Sequence, residues 1–461
     1  MYKRITMGKL RILILAAGKS TRMKSKYAKV LHRVGGRTLI EHVLGTARAL
    51  APDISVVVGH SADKVKSLLS GVKFVEQKEQ LGTGHAALAA RESFSGYSGD
   101  VLVMSGDVPL VSAATLEAFI KFHQEGGFGA SVLTADAENP DSYGRVIRRN
   151  DDEVDSIVEH RDATPEIRAI REINSGIYVF NAPALFESLS MIGNNNSQGE
   201  YYLTDAIAIL VDRKQRVGAF QIKSAEEILG INTRQDLAAM DRWIRRKKCE
   251  SLMTDGVTIV DPGSTFIDSD VRIGADTVIY PSVQIYGQTV IGEDVTIHSF
   301  SRISNSKVGA GSVVLEGCVV VESTLGEGVF LGPYAHLRTG NTLGEGVSIG
   351  NFVELKNSTL GAGTKSRHLA YLGDATIGKH VNIGAGVITC NYDGVKKHET
   401  IVEDGAFVGT DSQLIAPVRI GKDAYVAAGS SITEDVPPEA LAIARGRQVN
   451  KEGWVKARKK K

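Results

Sequence analysis

Residues 324–355 read TLGEGVFLGPYAHLRTGNTLGEGVSIGNFVEL, and this stretch decides the fold of the second half of the chain. An aliphatic residue returns at every sixth position: Leu325, Leu331, Leu337, Leu343, Ile349 and Leu355. A period of six fits neither an α-helix nor a simple alternating strand. It is typical of a parallel β-helix, in which each hexapeptide forms one face of a coil. Small residues, often glycine, follow the aliphatic residue, where the chain must turn a corner. We therefore predict a left-handed parallel β-helix of hexapeptide repeats.

The same period continues on both sides of this stretch. Six aliphatic residues at six-residue intervals run from Ile273 to Ile303, and six more run from Val402 to Ile432. Phase slips of one residue occur between the blocks, as at Leu355 to Leu360. Three faces make a coil of about 18 residues, so roughly 180 residues would form about ten coils. Residues 389–400 interrupt the rhythm, which predicts a loop that projects from one coil.

The first half alternates strand-like and helix-like segments. Residues 11–16, 54–59 and 101–105 read as buried strands, and residues 40–50 read as a helix. Such alternation predicts a Rossmann-like α/β domain with a doubly wound parallel sheet and ligands at the carboxyl ends of its strands. The predicted organisation is an α/β domain at 1–232, a connecting helix at 233–252, and the β-helix with a C-terminal arm at 253–461.

Composition excludes several classes of protein. The 461 residues exceed what one hydrophobic core usually organises, which agrees with at least two domains. The 54 Lys and Arg nearly balance the 53 Asp and Glu, so we expect no nucleic-acid partner. No apolar run reaches the roughly 18 residues of a membrane span. Three scattered cysteines suit neither a disulfide framework nor a zinc site, and we expect a cytoplasmic protein. Residues 1–6 receive no function.

Three motifs at predicted strand ends point to a nucleotide site. LAAGKSTRM (15–23) follows the first strand, where small residues let backbone N–H groups approach phosphates. EQLGTGHA (79–86) offers amide and backbone groups that suit the edge of a base. GDVP (106–109) places Asp107 at a strand end, where a metal that bridges phosphates could bind. Alone, Asp107 reads more readily as a turn or helix-cap residue, and the three motifs together favour nucleotide binding.

In this order, the motifs resemble the sugar-1-phosphate nucleotidyltransferase family. YGR (143–145), IVEH (157–160), EINSG (172–176) and GEYYLTD (199–205) are more specific and recur in one branch of it. They are joined here to a hexapeptide β-helix that contains HLAYLGD (368–374) and TCNYDG (389–394). The chain thereby resembles the bacterial bifunctional N-acetylglucosamine-1-phosphate uridylyltransferases/glucosamine-1-phosphate N-acetyltransferases, over about residues 10–458.

The resemblance implies roles for residues of the first half. Arg22 and Lys29 would bind the phosphates of UTP and stabilise the charge that builds up when pyrophosphate leaves, and Asp107 and Asn232 would hold Mg²⁺. The uracil and ribose would be held by Leu15, Ala16, Ala17, Gly18, Gln77, Gln80, Gly82 and Thr83. N-acetylglucosamine 1-phosphate would be bound by Gly144, Glu159, Asn174, Tyr202 and Thr204.

Two positions depart from the family pattern. Ala28 stands where a proline often precedes the phosphate-binding lysine, so the loop loses a stiffening residue. Ser105 stands where many members have tyrosine two residues before the metal aspartate, which puts one contact near the nucleotide in doubt.

The β-helix carries an unusual concentration of reactive and charged side chains. Acetyl transfer from a thioester to an amine needs a general base, oxyanion donors and cations for phosphate-bearing ligands. By the resemblance, His368 is the general base. Arg338, Lys356, Tyr371, Asn382, Asn391 and Tyr392 would contact glucosamine 1-phosphate or the reaction intermediate. Residues near acetyl-CoA or that intermediate would be Ala385, Lys397, Thr410, Ala428 and Arg445.

The resulting hypothesis is an enzyme with two activities. It would acetylate glucosamine 1-phosphate with acetyl-CoA, then join the product to UTP, giving UDP-N-acetylglucosamine and pyrophosphate. Family members are trimers with acetyltransferase sites between their β-helices, so we expect a homotrimer. Two alternatives stay open: a nucleotidyltransferase whose β-helix is only a scaffold, and a sugar-nucleotide sensor that binds UTP without turnover.

Overall fold

The computed structural model describes residues 10–19, 21–140 and 142–459, so residues 1–6 and Ser20 of the phosphate loop lie outside the described residues. The chain divides into two compact units, of which the first ends at Ile244 and the second begins at Arg245. No helix of the described ranges is long and apolar enough to cross a membrane.

A mixed β-sheet covered by helices forms the first unit. Its strands are β1 (Leu10–Ala16), β2 (Arg33–Val34), β3 (Arg37–Thr38), β4 (Ile54–Val58), β5 (Lys73–Glu76), β6 (Asp100–Ser105), β7 (Ala130–Asp136), β8 (Arg145–Arg148), β9 (Val154–Val158), β10 (Glu172–Asn181) and β11 (Val217–Ile222). Its helices are α1 (Leu39–Leu50), α2 (Ala62–Leu68), α3 (Thr83–Ala89), α4 (Ala113–Gly126), α5 (Pro165–Arg168), α6 (Ala182–Leu189) and α7 (Leu203–Asp212). The helix α8 (Arg234–Thr254) contains the division between the two units.

The strand order of the main sheet is β11-β7-β10-β6-β1-β4-β5. Strand β1 is apolar and almost wholly buried, and it pairs in parallel with β4 and β6. Strand β10 departs from the parallel arrangement, because it runs antiparallel to both β6 and β7. A buried strand is apolar in either direction, so its composition does not reveal its orientation. The hairpin of β8 and β9 joins the sheet through β10.

The second unit is the predicted β-helix. Its short strands are β12 (Thr258–Ile259), β13 (Phe266–Ile267), β14 (Arg272–Ile273), β15 (Val278–Ile279), β16 (Gln284–Tyr286), β17 (Val290–Ile291), β18 (Thr296–Ile297), β19 (Arg302–Ser304), β20 (Lys307–Val308), β21 (Val313–Val314), β22 (Val319–Val321), β23 (Thr324–Leu325), β24 (Phe330–Leu331), β25 (His336–Leu337), β26 (Thr342–Leu343), β27 (Ser348–Lys356), β28 (Thr359–Leu360), β29 (Lys365–Gly373), β30 (Ala375–Ile377), β31 (Asn382–Ile383), β32 (Ile388–Cys390), β33 (Thr400–Val402), β34 (Phe407–Val408), β35 (Gln413–Ile415), β36 (Val418–Ile420), β37 (Tyr425–Val426), β38 (Ser431–Ile432) and β39 (Leu441–Ala442). The helix α9 (Trp454–Arg458) follows them.

Strand pairing confirms the fold class and explains the phase slips. Every pair between coils is parallel, and Arg272 pairs with Val290, eighteen residues later. Where the rhythm slips, a coil is one residue shorter, as between Lys307 and Thr324. Thr376 pairs with Ile401, twenty-five residues later, because the loop between β32 and β33 is inserted into that coil. The aliphatic series line the interior, and 45 buried residues of this unit form one continuous core.

Candidate functional site

Two adjacent parallel strands form the base of the first candidate site. Leu15 of β1 pairs with Ser105 of β6, and the amide of Gly106 donates to the carbonyl of Leu15 at 2.9 Å. The predicted phosphate loop and the predicted metal carboxylate therefore leave the sheet at the same edge. A Cβ atom at Gly18 would meet no atom within 4 Å, so the backbone there is open to a ligand.

Cationic side chains surround the carboxylate of Asp107. The Lys29 ammonium contacts this carboxylate and also donates to Oδ1 of Asn232 at 3.0 Å. Arg22 donates to the same Asn232 oxygen at 2.8 Å. Burial alone would raise the pKa of Asp107, but the charge of Lys29 and hydrogen bonds from Lys29 and Ser105 hold this pKa below its usual value. The structure thus brings together four predicted residues that are far apart in the sequence.

The oxygens of Asp107 and Asn232 fit a metal that is shared with phosphates. Both bind one cation, the Lys29 ammonium, so a carboxylate oxygen and an amide oxygen converge at one place. Magnesium is commonly held by one or two carboxylates together with substrate phosphates and water. Within the described ranges, no group of three or more His, Cys, Asp or Glu side chains could hold a metal by itself. The donor set suits Mg²⁺ that arrives with a nucleotide.

The two departures from the family pattern have structural explanations. The Ser105 hydroxyl donates to Oδ1 of Asp107 at 2.6 Å, so this side chain fixes the carboxylate. Ala28 is fully buried with φ −58° and ψ 143°, which are angles that a proline ring also allows. The loop before Lys29 thus keeps the proline-like conformation without the ring.

The segment after β5 holds the residues predicted to bind the base. The side chain of Gln77 is buried, donates to the carbonyl of Gly82 at 3.2 Å and lies 3.0 Å from Nδ1 of His85. Gln80 donates to the backbone carbonyl of Gln77 at 2.9 Å. These bonds tie the glutamine-rich segment to the start of α3 and define its shape.

Gly82 and Thr83 join this segment to the start of α7. Gly82 has φ +116°, and a Cβ atom there would lie 2.5 Å from the carbonyl oxygen of Tyr201, so only glycine fits. The Thr83 hydroxyl accepts a hydrogen bond from the amide of Leu203 at 3.0 Å. The predicted base-binding and sugar-binding segments are therefore in direct contact.

The predicted sugar-binding residues converge beside the β8–β9 hairpin. A Cβ atom at Gly144 would lie 3.5 Å from Asn174 Cβ, Glu159 Oε2 and Ile157 Cγ2, so these three side chains border the same small space. Thr204 donates to Glu159 at 3.4 Å. The oxygen of Asn174 already accepts from the Tyr178 hydroxyl at 2.9 Å, so its N–H groups are the part that a ligand can use.

Two of these side chains have raised pKa values. Burial raises the pKa of the Glu159 carboxyl, and the negative charges of Asp162 and Asp205 raise it further, against the hydrogen bond from Thr204. Burial also raises the pKa of Tyr202, whose hydroxyl accepts from Gln198 at 2.7 Å. A carboxyl in this setting is suited to hydrogen bonding with hydroxyl and amide groups of a sugar.

A supporting residue in the quoted motifs had no predicted role. Tyr143 is partly buried, burial raises its pKa to about 12, and its hydroxyl accepts from the amide of Gly230 at 3.0 Å. Gly230 lies two residues before Asn232, so this bond positions the segment of a predicted metal ligand. The YGR motif was the sequence signal for this residue, but a motif does not show which group the residue binds.

The second candidate site lies on the two longest strands of the β-helix, β27 and β29. Asn351 and His368 are paired in this register, one coil apart. The ring nitrogen Nδ1 of His368 lies 3.1 Å from Oδ1 of Asn351, and an amide oxygen only accepts. With Nδ1 as the donor in this contact, Nε2 would keep its lone pair, as a general base requires. Sequence reasoning missed Asn351, although its position seventeen residues before His368 was a usable signal.

Residues predicted for both substrates lie at the end of β27 and in the loop between β32 and β33: Lys356 and Asn391 for glucosamine 1-phosphate, and Lys397 for acetyl-CoA or the intermediate. A side-chain hydrogen bond with Lys356, and then the charge of Lys356, lower the pKa of the Lys397 ammonium. Asn391 is buried and donates to Asp374 at 2.5 Å. Tyr371 also interacts with Lys397. Asp374 was not predicted as a site residue, although it ends the quoted HLAYLGD motif.

Other predicted residues lie along the outside of the coils. Arg338 donates to Glu354 at 3.1 Å, and Asn382 is paired with Lys365 of β29. Tyr392 is exposed in the inserted loop, where its hydroxyl donates to the carbonyl of Gly394 at 2.6 Å.

Apart from Lys397, the residues predicted near acetyl-CoA form a row across successive coils. The carbonyl of Ala385 accepts from the amide of Asp411, the residue after Thr410, and the carbonyl of Thr410 accepts from the amide after Ala428. Arg445 donates to the carbonyl of Ala428 at 2.7 Å. Ala385, Thr410 and Ala428 therefore lie on successive coils, and the Arg445 guanidinium binds the last of them.

Models of known protein families match both units of the chain. Residues 12–202 match the MobA-like NTP transferase domain, residues 260–360 match the GMPPB C-terminal domain, and residues 399–434 match the hexapeptide repeat of succinyl-transferase.

Several curated relatives span nearly the whole chain. The bifunctional protein GlmU of Koribacter versatilis is 50% identical over 456 residues, which cover 97% of each chain. That of Alkaliphilus metalliredigens is 50% identical over 97% of this chain and 98% of its own. That of Listeria monocytogenes is 49% identical over 98% of this chain and 99% of its own. Half of the residues are thus shared across both units, and the chain belongs to the family of bifunctional GlmU proteins.

Proposed function

We propose that each unit of this chain carries one of two consecutive transfer reactions. The chain is a bifunctional transferase, with an acetyltransferase β-helix and a uridylyltransferase α/β unit. The second unit acetylates glucosamine 1-phosphate with acetyl-CoA, and the first unit transfers UMP from UTP to N-acetylglucosamine 1-phosphate. The observation that carries this proposal is that one chain holds a cationic cluster on an Asp–Asn pair and, in its other unit, an imidazole fixed by an amide.

Uridylyl transfer requires charge neutralisation and no protein nucleophile. A phosphate oxygen of the sugar phosphate attacks the α-phosphorus of UTP, and the bond to the pyrophosphate oxygen breaks. Arg22 and Lys29, both bound to Asn232, stabilise the negative charge on the leaving group. Mg²⁺, when held by Asp107 and Asn232, supplies further neutralisation of the phosphates.

The remaining predicted residues of the first unit orient the two substrates. Leu15, Ala16, Ala17 and Gly18, with the segment from Gln77 to Thr83, bind the nucleotide at the carboxyl edge of the sheet. The space between Gly144, Glu159 and Asn174 accommodates the sugar and its acetamido group. Tyr202 and Thr204 close this space from α7.

Acetyl transfer requires a base and fixed cations. Nε2 of His368 takes a proton from the amine of glucosamine 1-phosphate, and the nitrogen attacks the thioester carbonyl carbon. The tetrahedral intermediate then expels the CoA thiolate, which receives the proton from the imidazolium. Lys356, with Arg338, binds the phosphate, while Tyr371, Asn382 and Asn391 position the sugar. The row of Ala385, Thr410, Ala428 and Arg445 accommodates acetyl-CoA.

We further propose a cytoplasmic homotrimer with domains at 1–232 and 253–461 and a connecting segment at 233–252. The support for self-association is an exposed apolar column on one corner of the β-helix. It consists of Phe300, Tyr334, Phe352 and Leu369, which are 56–73% exposed at left-handed corner positions. The rings of Tyr334 and Phe352 stack with their centroids 5.8 Å apart, and exposed apolar surface of this kind marks protein interfaces. Leu369 follows His368, so a neighbouring subunit on this column would lie beside the acetyl-transfer site.

One coupled assay tests the proposed function. Purified protein receives glucosamine 1-phosphate, acetyl-CoA, UTP and Mg²⁺, and free thiol and pyrophosphate are followed together. The proposal predicts release of both. His368→Ala should lose both signals and should release pyrophosphate again when N-acetylglucosamine 1-phosphate is supplied, whereas Asp107→Ala should release thiol without pyrophosphate. Pyrophosphate release only with N-acetylglucosamine 1-phosphate, without thiol, would reduce the β-helix to a scaffold. UTP binding without either product would favour a sensor.

A further inference from the structure

We propose that Asp374 is a positioning residue for acetyl transfer, whose carboxylate ties the segment of Lys356 to the inserted loop of Lys397, so that both ammonium groups can act as one phosphate clamp. This inference rests on the proposed function, in which the second unit binds glucosamine 1-phosphate. No predicted role had been given to this aspartate.

The backbone of Asp374 joins the two segments that carry these lysines. Asp374 occupies the corner after β29 and has a φ of 48°. Its amide donates to the carbonyl of Lys356 at 2.9 Å, and its carbonyl accepts from the amide of Thr400 at 3.2 Å. Thr400 begins β33, directly after the inserted loop that contains Lys397. The aspartate is therefore anchored to one lysine and to the end of the loop that presents the other.

The side chain repeats this bridge with both of its oxygens. Oδ1 accepts from the side-chain nitrogen Nδ2 of Asn357, the residue after Lys356, at 2.8 Å. Oδ2 accepts from the amide nitrogen of Asn391, at the start of the inserted loop, at 2.5 Å. Each oxygen thus binds one of the two segments that supply a lysine, and the carboxylate fixes the distance between them.

Electrostatics gives this bridge a function beyond packing. A side-chain hydrogen bond with Lys356, and then the charge of Lys356, lower the pKa of Lys397, whereas the charges of Asp374 and Tyr371 oppose this effect. Within the loop itself, Asp393 is paired with His398 at 2.7 Å. Two adjacent ammonium groups repel each other, so an anion is needed to keep both charged and in place. In the free enzyme, the Asp374 carboxylate supplies this negative charge. A phosphate group supplies further negative charge when it binds.

The carboxylate is itself stabilised in its charged form. Burial alone would raise the pKa of Asp374, but hydrogen bonds from Asn357 and Asn391 and the charges of both lysines lower it. Asp374 is therefore ionised throughout the neutral pH range, where the clamp must operate.

The test is the variant Asp374→Asn in the full-length protein. Asparagine has the same shape and tolerates the left-handed backbone. Its NH2 group replaces one acceptor oxygen, so the substitution removes the charge and one of the two hydrogen bonds from Asn357 and Asn391. The expected result is a rise of about 5- to 20-fold in the KM for glucosamine 1-phosphate, since hydrogen bonds to a charged group are being weakened. The kcat and the KM for acetyl-CoA should stay within about twofold of the wild-type values.

A pH profile separates positioning from general loss of structure. Without the carboxylate, Lys397 loses its proton at lower pH, so the alkaline limb of kcat/KM for glucosamine 1-phosphate should move to lower pH. Asp294→Asn is the matched control, because Asp294 is an exposed aspartate with φ 57° at a comparable corner. This control and the uridylyl transfer of both variants should match the wild type.

The outcomes distinguish this inference from the proposed function. If Lys356→Ala raises the KM for glucosamine 1-phosphate while Asp374→Asn leaves both this KM and the pH profile unchanged, or lowers the KM, only the inference is wrong. If Lys356→Ala also leaves this KM unchanged, the proposed location of the phosphate site is wrong.

Discussion

Replacement of Lys29 by alanine should nearly abolish uridylyl transfer and spare acetyl transfer. Lys29 is the side chain that contacts Asp107 and, at 3.0 Å, the oxygen of Asn232. Its side chain is 15% exposed, so its charge acts with only partial screening by solvent. In the proposed reaction this ammonium neutralises charge that develops on the leaving pyrophosphate.

The magnitude follows from these positions. Two unit charges about 3 Å apart interact by about 5 kcal/mol at an effective dielectric constant of about 20. Competition from water and from Arg22 reduces the net contribution to about 3–4 kcal/mol, similar to the loss of one oxyanion-hole donor. This corresponds to a decrease of about 10²- to 10³-fold in kcat.

The assay is steady-state release of pyrophosphate from UTP and N-acetylglucosamine 1-phosphate, with release of thiol measured in parallel. Lys26→Ala is the matched control, because Lys26 is an exposed lysine of the same loop. A Lys29→Ala enzyme that keeps more than about a third of the wild-type kcat would refute the assigned role of this ammonium. An equal loss of thiol release would mean that the substitution acts through folding.

Four further substitutions probe other parts of the structure. Ser105→Ala removes the hydrogen bond to Asp107 and should weaken the apparent Mg²⁺ affinity about 3- to 10-fold in a metal titration followed by Mn²⁺ competition. Burial raises the pKa of the Glu159 carboxyl above its ordinary value of 4.5, so its ionisation destabilises the fold as pH rises above that value. The melting temperature of Glu159→Gln should therefore exceed that of the wild type by a margin that grows as pH rises above 4.5. Ala28→Pro should raise the melting temperature of the first unit by about 1–4 °C in calorimetry, because its φ already suits proline. Phe352→Asp places a charge on the exposed apolar column and should convert the proposed trimer to monomers in light scattering, whereas an unchanged mass would exclude this column as the interface.

Periodic features of the sequence could be predicted well because they arise from repeated local geometry. The six-residue series determines which side chains enter the β-helix core, and the phase slips appear as coils of seventeen residues. The buried strands β1, β4 and β6 were also predictable from composition. The antiparallel direction of β10 was not, since a buried strand reads the same in both directions.

Site residues could be named by resemblance, but their partners could not. Motifs identified Lys29, Asp107 and His368, whereas the bonds that orient them depend on tertiary contacts between segments that are not adjacent in sequence. Asn232 reaches the phosphate loop from more than two hundred positions away. In the sequence, Ser105 indicated only that a tyrosine contact was missing. The structure shows that its hydroxyl donates a hydrogen bond to Asp107, which composition could not reveal.

The β-helix nevertheless contains a rule by which partners can be found. Residues one coil apart are neighbours, so a reactive side chain should be examined together with positions seventeen or eighteen residues before and after it. Asn351 and His368 obey this rule directly. Asp374 and Asn391 obey it as well, because their separation is also seventeen residues, and the insertion begins only after Asn391. The inserted loop therefore starts from a register that is still regular, and it carries Lys397 back toward Lys356 before the coil resumes at Thr400. The regular coils fix the positions of Asp374 and Asn391, and the irregular inserted loop supplies the second cation, Lys397. For this reason we expect the charge on Asp374 to control the clamp.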